Sequence, residues 1–314
     1  MDDRTFVDIL RDRAQFSGDK IAYRFLVEGD KDELTLTYAQ LHQRALAIAA
    51  CLKDDAKPGD RALLLYPAGL EFICAFFGCM YAGVIAVPAY PPGKSRLVQN
   101  VKRLELLSRN CSPAVVLCDN DIRGVLIDNI SVEIQQSVLA QIEHNTSQDN
   151  PLLSLTKAKV ISTSSINDSA SESLIFTPSA QDLAFLQYTS GSTGNPKGVM
   201  LSHESLITNS NAIKESYHHN AECIMASWLP QYHDMGLIGS ILQPLYCEMF
   251  SVMVASADFL MRPISWLKMI SQFGATSSGG PNFAFQLCVD SFSKQKMEGV
   301  DLSCWKVAYS GAEP

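Results

Sequence analysis

The stretch Tyr188 to Gly198 reads YTSGSTGNPKG and sets hydroxyls, glycines and one lysine directly behind an apolar run. Loops of that composition hold phosphates. Gly191 and Gly194 open backbone conformations closed to other residues and allow close approach to a ligand, so N–H groups can converge on anionic oxygens. Thr189, Ser190, Ser192 and Thr193 add hydroxyl donors, and Lys197 adds a positive charge. A Walker-type loop ends in Gly-Lys-Ser/Thr. Here Pro196 precedes Lys197 and Gly198 follows it, so that pattern is not met. The competing reading is a polar surface turn rich in Gly and Ser.

Four further stretches carry candidate chemistry. Trp228 to Gly239, WLPQYHDMGLIG, places His233 and Asp234 between a strand-like run and a glycine-interrupted apolar segment. Adjacent residues on a strand point to opposite faces, so the pair is expected not to work as a relay, and no serine at suitable spacing completes a Ser-His-Asp set. Ser277 to Phe285, SSGGPNFAF, reads at Gly279-Gly280-Pro281 as a strand-to-helix connector, and Tyr309 to Pro314, YSGAEP, follows it. Val87 to Arg96, VPAYPPGKSR, has two adjacent prolines that favour an extended, stiff connection. Lys94, Arg96, Lys102 and Arg103 then form a small basic surface, which simple solvation explains.

YTSGSTGNPKG resembles the phosphate-binding signature of the adenylate-forming enzymes, and the wording of YHDMGLIG and VPAYPPGKSR is similar to that of the fatty acyl-AMP ligases among them. The resemblance implies the N-terminal portion of such an enzyme: two α/β lobes with sheets covered by helices, before a C-terminal domain. It implies ATP-dependent activation of a medium- or long-chain fatty acid to acyl-AMP, with release of pyrophosphate and transfer to an acyl carrier protein. Thr189, Ser190, Gly191, Ser192, Thr193, Gly194 and Lys197 would grip the β- and γ-phosphates of ATP, with Lys197 and His233 catalytic. His233, Asp234, Met235, Gly236 and Ile238, with Gly279, Gly280, Pro281, Asn282 and Phe283, would line the acyl and carboxylate pocket. Ser310, Gly311, Ala312, Glu313 and Pro314 would support the adenine. Mg²⁺ is the implied companion of ATP, and no residue of this chain is assigned to it.

The resemblance covers essentially the whole chain, which ends at Pro314, before the family's later metal, ribose and C-terminal lysine motifs. A chain of this extent is therefore expected to be weakly active or inactive alone. Two other readings stay open. One is an acyl-CoA or aryl-CoA ligase, separated by offering CoA against acyl carrier protein. The other is a catalytically incompetent module that keeps an acyl or nucleotide pocket, which would shift its melting temperature with ligand yet release no pyrophosphate.

The elements that position these motifs alternate. Thr37 and Gln40 form a capping-box pattern, after which Leu41, Ala45, Ile48 and Leu52 recur at helical spacing. Strand-like runs at 61–66, 84–89 and 114–119, separated by helical stretches, predict a parallel sheet covered by helices. A Ser/Asn-rich crossing at about 145–181 is read as having little structure of its own. A second alternation begins beyond it, with strands near 183–188, 223–229, 250–255 and 306–309 and helices over 204–217, 235–249 and 262–273. The expected division is a first lobe over 1–180 and a second over 181–314 that carries both the ATP and the acyl motifs at strand ends.

Composition narrows the function classes. A chain of 314 residues with 47% hydrophobic residues builds a large core, and its net charge of −8 argues against a nucleic-acid role. The nine cysteines lack paired CxxC spacing and mostly sit in apolar runs, as reduced core residues do. The acidic start, MDDRTFVDILRDRAQ, lacks an apolar export core, so a cytoplasmic setting is expected. Phe72 to Gly93 is uncharged and about long enough to span a bilayer, but its glycines and prolines divide it into a buried helix over 71–82 and a buried strand over 84–89.

Overall fold

In the computed structural model, residues 4–28, 32–93, 97–128, 136, 140, 154–168, 170–171, 175–189 and 196–311 are described. Two compact units divide the chain: Gln43–Pro67 with Glu71–His203, and Asp2–His42 with Ala68–Leu70 and Glu204–Pro314. Among the described residues, twelve strands serve the two sheets: β1 (Ile21–Val27), β2 (Asp32–Thr37), β3 (Arg61–Leu65), β4 (Ile85–Pro88), β5 (Val115–Cys118), β6 (Lys159–Ser162), β7 (Leu183–Thr189), β8 (Lys197–Ser202), β9 (Ile224–Ser227), β10 (Phe250–Val254), β11 (Ser277–Gly280) and β12 (Val307–Ser310).

The first unit is built on the sheet β6-β5-β3-β4-β7-β8. Its strands run parallel except for the antiparallel pair β7–β8. At the centre, Ala62 to Leu65 of β3 are fully buried, as continuous apolar strands covered on both faces should be. The helix Leu70–Ala82 buries every residue from Phe72 to Tyr81. Such an all-round apolar helix belongs in a core, and the uncharged run is indeed a core helix followed by β4. Gly78 is required there, because a Cβ would lie 2.6 Å from Ile48 Cγ2. Arg44 ties the unit's surface: its guanidinium reaches the carbonyls of Thr163 at 2.6 Å and Ile166 at 2.7 Å, Glu71 Oε1 at 2.7 Å and Asp168 Oδ1 at 2.7 Å.

The second unit holds β12-β11-β9-β10-β1-β2, parallel except for the hairpin β1–β2. Its first helix, Phe6–Ser17, starts from a capping box. Thr5 Oγ1 accepts from the Asp8 N–H at 3.3 Å, and the Asp8 carboxylate accepts from the Thr5 N–H at 2.9 Å. The expected box at Thr37 is present: Gln40 Oε1 accepts from the Thr37 N–H at 2.9 Å, and Thr37 Oγ1 accepts from the Gln40 N–H at 3.2 Å. Trp266, fully buried, donates Nε1–H to Ser278 Oγ at 2.8 Å, and Ser278 donates onward to the Ala226 carbonyl at 2.6 Å. That chain of bonds ties the helix Ile264–Phe273 to β11 and β9.

Two expectations about organisation change. The cut at 180/181 does not follow the sheets: β7 and β8 close the first unit, whereas the helix Phe6–Ser17 and the hairpin β1–β2 join the second. Strands far apart in the chain pair here, with β1 parallel to β10 in register from Tyr23↔Ser251 to Leu26↔Val254, and a reading along the chain has no signal for that. Within the crossing, the helix Ser154–Lys157 and β6 are ordered elements, β6 pairing with β5 from Val115↔Lys159 to Cys118↔Ser162. All nine cysteines are free, six of them buried.

Candidate active site

The phosphate-loop candidate joins two paired strands. β7 and β8 pair antiparallel down to Thr189↔Lys197, which sets these two residues opposite each other at the ends of the strands. Both are exposed, and Ser190, Gly191, Ser192, Thr193 and Gly194 between them lie outside the described residues. Gly198 is held close to the Tyr188 ring, where a Cβ would stand 3.0 Å from Cζ. Tyr188 in turn donates its hydroxyl to Asn110 Oδ1 at 2.5 Å. This hairpin belongs to the first unit.

Four of the acyl candidates meet in the second unit at a cavity of about 390 Å³. His233, Asp234, Met235, Ile238 and Ser310 line it, as do Gln243, His219, Tyr217 and Tyr309. One long helical stretch makes its principal wall, wound as α over Asp234–Leu237, π over Ile238–Leu242 and α over Gln243–Cys247. A π segment inside an α-helix often marks a functional site. The helix begins tightly: a Cβ on Gly236 would stand 2.1 Å from the Pro230 carbonyl oxygen, so only glycine lets the first turn fold back on the Leu229–Pro230 segment. The opposite wall is β12, whose Tyr309 stacks on Tyr217 with centroids 6.2 Å apart and planes 11° apart. Burial pushes the Tyr309 phenol well above its ordinary pKa. Gly279 on β11 is required behind it, since a Cβ there would fall 2.1 Å from the Tyr309 carbonyl oxygen.

At the rim, His233 and Asp234 are about half exposed and form a pair, Nδ1 to Oδ1, at 2.6 Å. They do not sit on a strand. His233 is the N-cap of the helix that begins at Asp234, and at a helix start adjacent side chains can turn toward each other, which overturns the expectation that they point apart. The hydrogen bond to Asp234 holds the His233 pKa above its ordinary 6.5, and the same bond holds Asp234 below its ordinary 3.8. At the other end, His219 and Gln243 are buried, and burial lowers His219 to about 4.

The remaining candidates lie elsewhere in the unit. Gly280 sits under Trp228, with a virtual Cβ 2.5 Å from Cζ2. Pro281 is the N-cap of the helix Asn282–Asp290, which confirms the connector reading. Asn282 is exposed, and the Phe283 ring stands edge-on to Trp228 at 6.0 Å rather than in the cavity wall. Gly311 lies beside Met235, 3.1 Å from its Cε to a virtual Cβ. Ala312, Glu313 and Pro314 lie outside the described residues. Tyr309 heads the YSGAEP stretch read from the sequence, whereas His219, Tyr217 and Gln243 belong to no motif read there. A signal existed for Gln243: it falls on the helical face of Met235, Ile238 and Gly239, a polar residue amid the apolar run IGSILQPLYC.

An α/β unit with phosphate-loop wording and a second with an apolar cavity rimmed by polar groups define a nucleotide-using α/β enzyme class. The chain belongs to the family of AMP-binding enzymes, which matches residues 10–314. It is 38% identical over 311 residues to a medium-chain-fatty-acid–[acyl-carrier-protein] ligase, JamA, of Moorena producens, a match covering 99% of this chain and 50% of that one. The crystal structure of a fatty acid AMP ligase from Legionella pneumophila is similar at a TM-score of 0.85 and 44% identity, covering 99% of this chain and 50% of that one. A fatty acyl-adenylate ligase from L. pneumophila in complex with acyl adenylate and pyrophosphate is similar at a TM-score of 0.83 and 43% identity, with the same coverage. The chain spans about half the length of the curated relatives it matches.

Proposed function

We propose that this chain supplies the nucleotide- and acyl-binding part of a fatty acid adenylating ligase that loads an acyl carrier protein. The observation that carries the reading is the cavity, polar at its rim with His233, Asp234 and Ser310 and apolar along Met235, Ile238 and Met225. That arrangement suits a carboxylate at the mouth and an alkyl tail within. In the proposed reaction a carboxylate oxygen attacks the α-phosphorus of ATP, the bond to the bridging oxygen breaks, and pyrophosphate leaves. A carrier thiolate then attacks the acyl carbonyl and AMP departs. Lys197 and the loop from Thr189 to Gly194 hold the β- and γ-phosphates, where fixed cationic and N–H groups stabilise developing charge. His233 orients the carboxylate, and Ser310 to Pro314 bear on the adenine. Mg²⁺ enters with ATP as part of the nucleotide substrate. Among the described residues no cluster of three His, Cys, Asp or Glu stands ready to hold it.

Nine free cysteines support a cytoplasmic setting, and no helix among the described residues is long and apolar enough to cross a membrane. Because the chain spans half its relatives' length, its own turnover is proposed to be weak, whereas its binding of a non-hydrolysable acyl-adenylate analogue is retained. The test pairs a melting shift with that analogue against pyrophosphate release with ATP, Mg²⁺ and dodecanoic acid, followed by holo acyl carrier protein or CoA. Transfer to CoA alone would move the function to an acyl-CoA ligase. Neither binding nor pyrophosphate release, with any carboxylate, would overturn the adenylation reading.

A further inference from the structure

The cavity is walled by more rings and thioethers than a plain alkyl tail needs. Tyr217, His219 and Tyr309 line it together with Met225 and Met235. The three rings pack against one another: Tyr309 stacks on Tyr217 with centroids 6.2 Å apart and planes 11° apart, and His219 meets Tyr217 edge-on at 5.5 Å and 68°. Tyr217, the last residue of the helix His203–Tyr217, is nonetheless 38% exposed, so its ring offers surface to a ligand. Tyr309 is fixed on β12. Its hydroxyl points to Met225 Sδ at 3.9 Å, and its ring passes so close over Gly279 that a Cβ there would fall 2.4 Å from Cδ2. Gly239, which lines the same cavity, leaves the space beside the ring open, since the nearest atom to a virtual Cβ at that position is Tyr309 Oη at 4.0 Å.

These groups distinguish a ring from an alkyl chain. An alkyl tail gains from them only through the apolar area it buries, and six alkyl carbons present more area than the six of a phenyl ring. Area alone therefore ranks the alkyl tail first. A ring adds the offset or edge-to-face attraction of aromatic pairs and contact with thioether sulfur, neither of which saturated carbon supplies. There is room for it. A cavity of about 150 Å³ accepts benzene, and this one, at about 390 Å³, accommodates a ring and several methylenes.

We propose that the acyl group taken by this cavity carries an aromatic ring, seated against the Tyr217–Tyr309 pair and joined to the carboxylate by a run of methylenes. This rests on the acyl-adenylate reading above and adds the substrate class to it. The test is titration calorimetry of the whole chain with non-hydrolysable adenylate analogues in carbon-matched pairs: 3-phenylpropanoyl with nonanoyl, 6-phenylhexanoyl with dodecanoyl, and 9-phenylnonanoyl with pentadecanoyl. Both members of a pair carry the same adenylate, so their ratio reads the tail and cancels any stacking of adenine. In the pair whose linker fits, the phenyl analogue is expected to bind roughly fivefold tighter. Tyr217→Leu and Tyr309→Leu, which keep an apolar side chain but remove the ring, are each expected to bring that ratio to one or below. Where Tyr309→Leu does not fold, the substitution at the exposed Tyr217 decides. Phenyl analogues no tighter than their matches at every length, or a preference that survives Tyr217→Leu, would overturn the inference while the adenylation reading stands. Failure of all six analogues to bind would remove the adenylation reading and this inference with it.

Discussion

Replacing Gly236 by Ala should damage both stability and the carboxylate end of the cavity. The new methyl would stand 2.1 Å from the Pro230 carbonyl oxygen and 2.8 Å from its carbon, so backbone must move by about 1 Å, and overpacking of that kind costs about 1–3 kcal/mol. The same carbonyl accepts from the His233 N–H at 3.1 Å. Moving it weakens that bond as well, worth about 1 kcal/mol net. A total near 3 kcal/mol corresponds to a drop of roughly 6–12 °C in melting temperature for a unit of this size. A misplacement of about 1 Å at the segment carrying His233 should also lower adenylation about a hundredfold. Gly239→Ala is the internal control, because the nearest atom to its virtual Cβ is Tyr309 Oη at 4.0 Å. It should melt like the wild type. Thermal melts of the two variants, with pyrophosphate exchange on the wild type and Gly236→Ala, read both effects. A Gly236→Ala melt that matches the wild type, or a Gly239→Ala melt as low as that of Gly236→Ala, would refute the clash.

Lys197→Ala should leave the melting curve within about 0.5 kcal/mol, since the residue is an exposed strand end, yet depress pyrophosphate exchange by about 10²- to 10³-fold; unchanged exchange would remove Lys197 from phosphate binding. Arg44→Met should destabilise the first unit by about 2–4 kcal/mol, because it leaves the Thr163 and Ile166 carbonyls and Glu71 short of their donor, which a denaturant titration would register as a lower midpoint at constant slope. The His233–Asp234 pair defines a pH window. With His233 raised, its contribution is present below 6.5 and is lost as pH rises through the higher folded value. With Asp234 lowered, its contribution is present above 3.8 and is lost as pH falls through the lower folded value. The imidazole resonance of His233 should therefore titrate above 6.5, and Asp234→Asn should bring it back down; a midpoint unmoved by the substitution would dissolve the pair.

Much of this molecule is written locally. The capping boxes at Thr5 and Thr37 are set by residues three apart and need nothing from the rest of the chain. The apolar runs of β3, β4 and β5 are legible because a strand buried on both faces cannot tolerate polar residues, and the same run of Phe72 to Tyr81 declares its helix buried. The phosphate-loop wording is local too, because hydroxyls and glycines must share one turn to surround an anion. What the chain order conceals is pairing at long range. β1 lies against β10, and the hairpin β7–β8 closes the first sheet, so the division at 180/181 could not be corrected without tertiary contacts. Adjacency also misled at His233 and Asp234, whose meeting depends on a helix starting between them rather than on strand alternation. The buried group around His219 was decided by folding alone: His219 follows the helix ending at Tyr217, Gln243 lies within a π-to-α helix and Ser277 begins β11. No spacing in the sequence links three such residues, and only the packing of that helix against β9, β11 and β12 brings their polar atoms into one buried group.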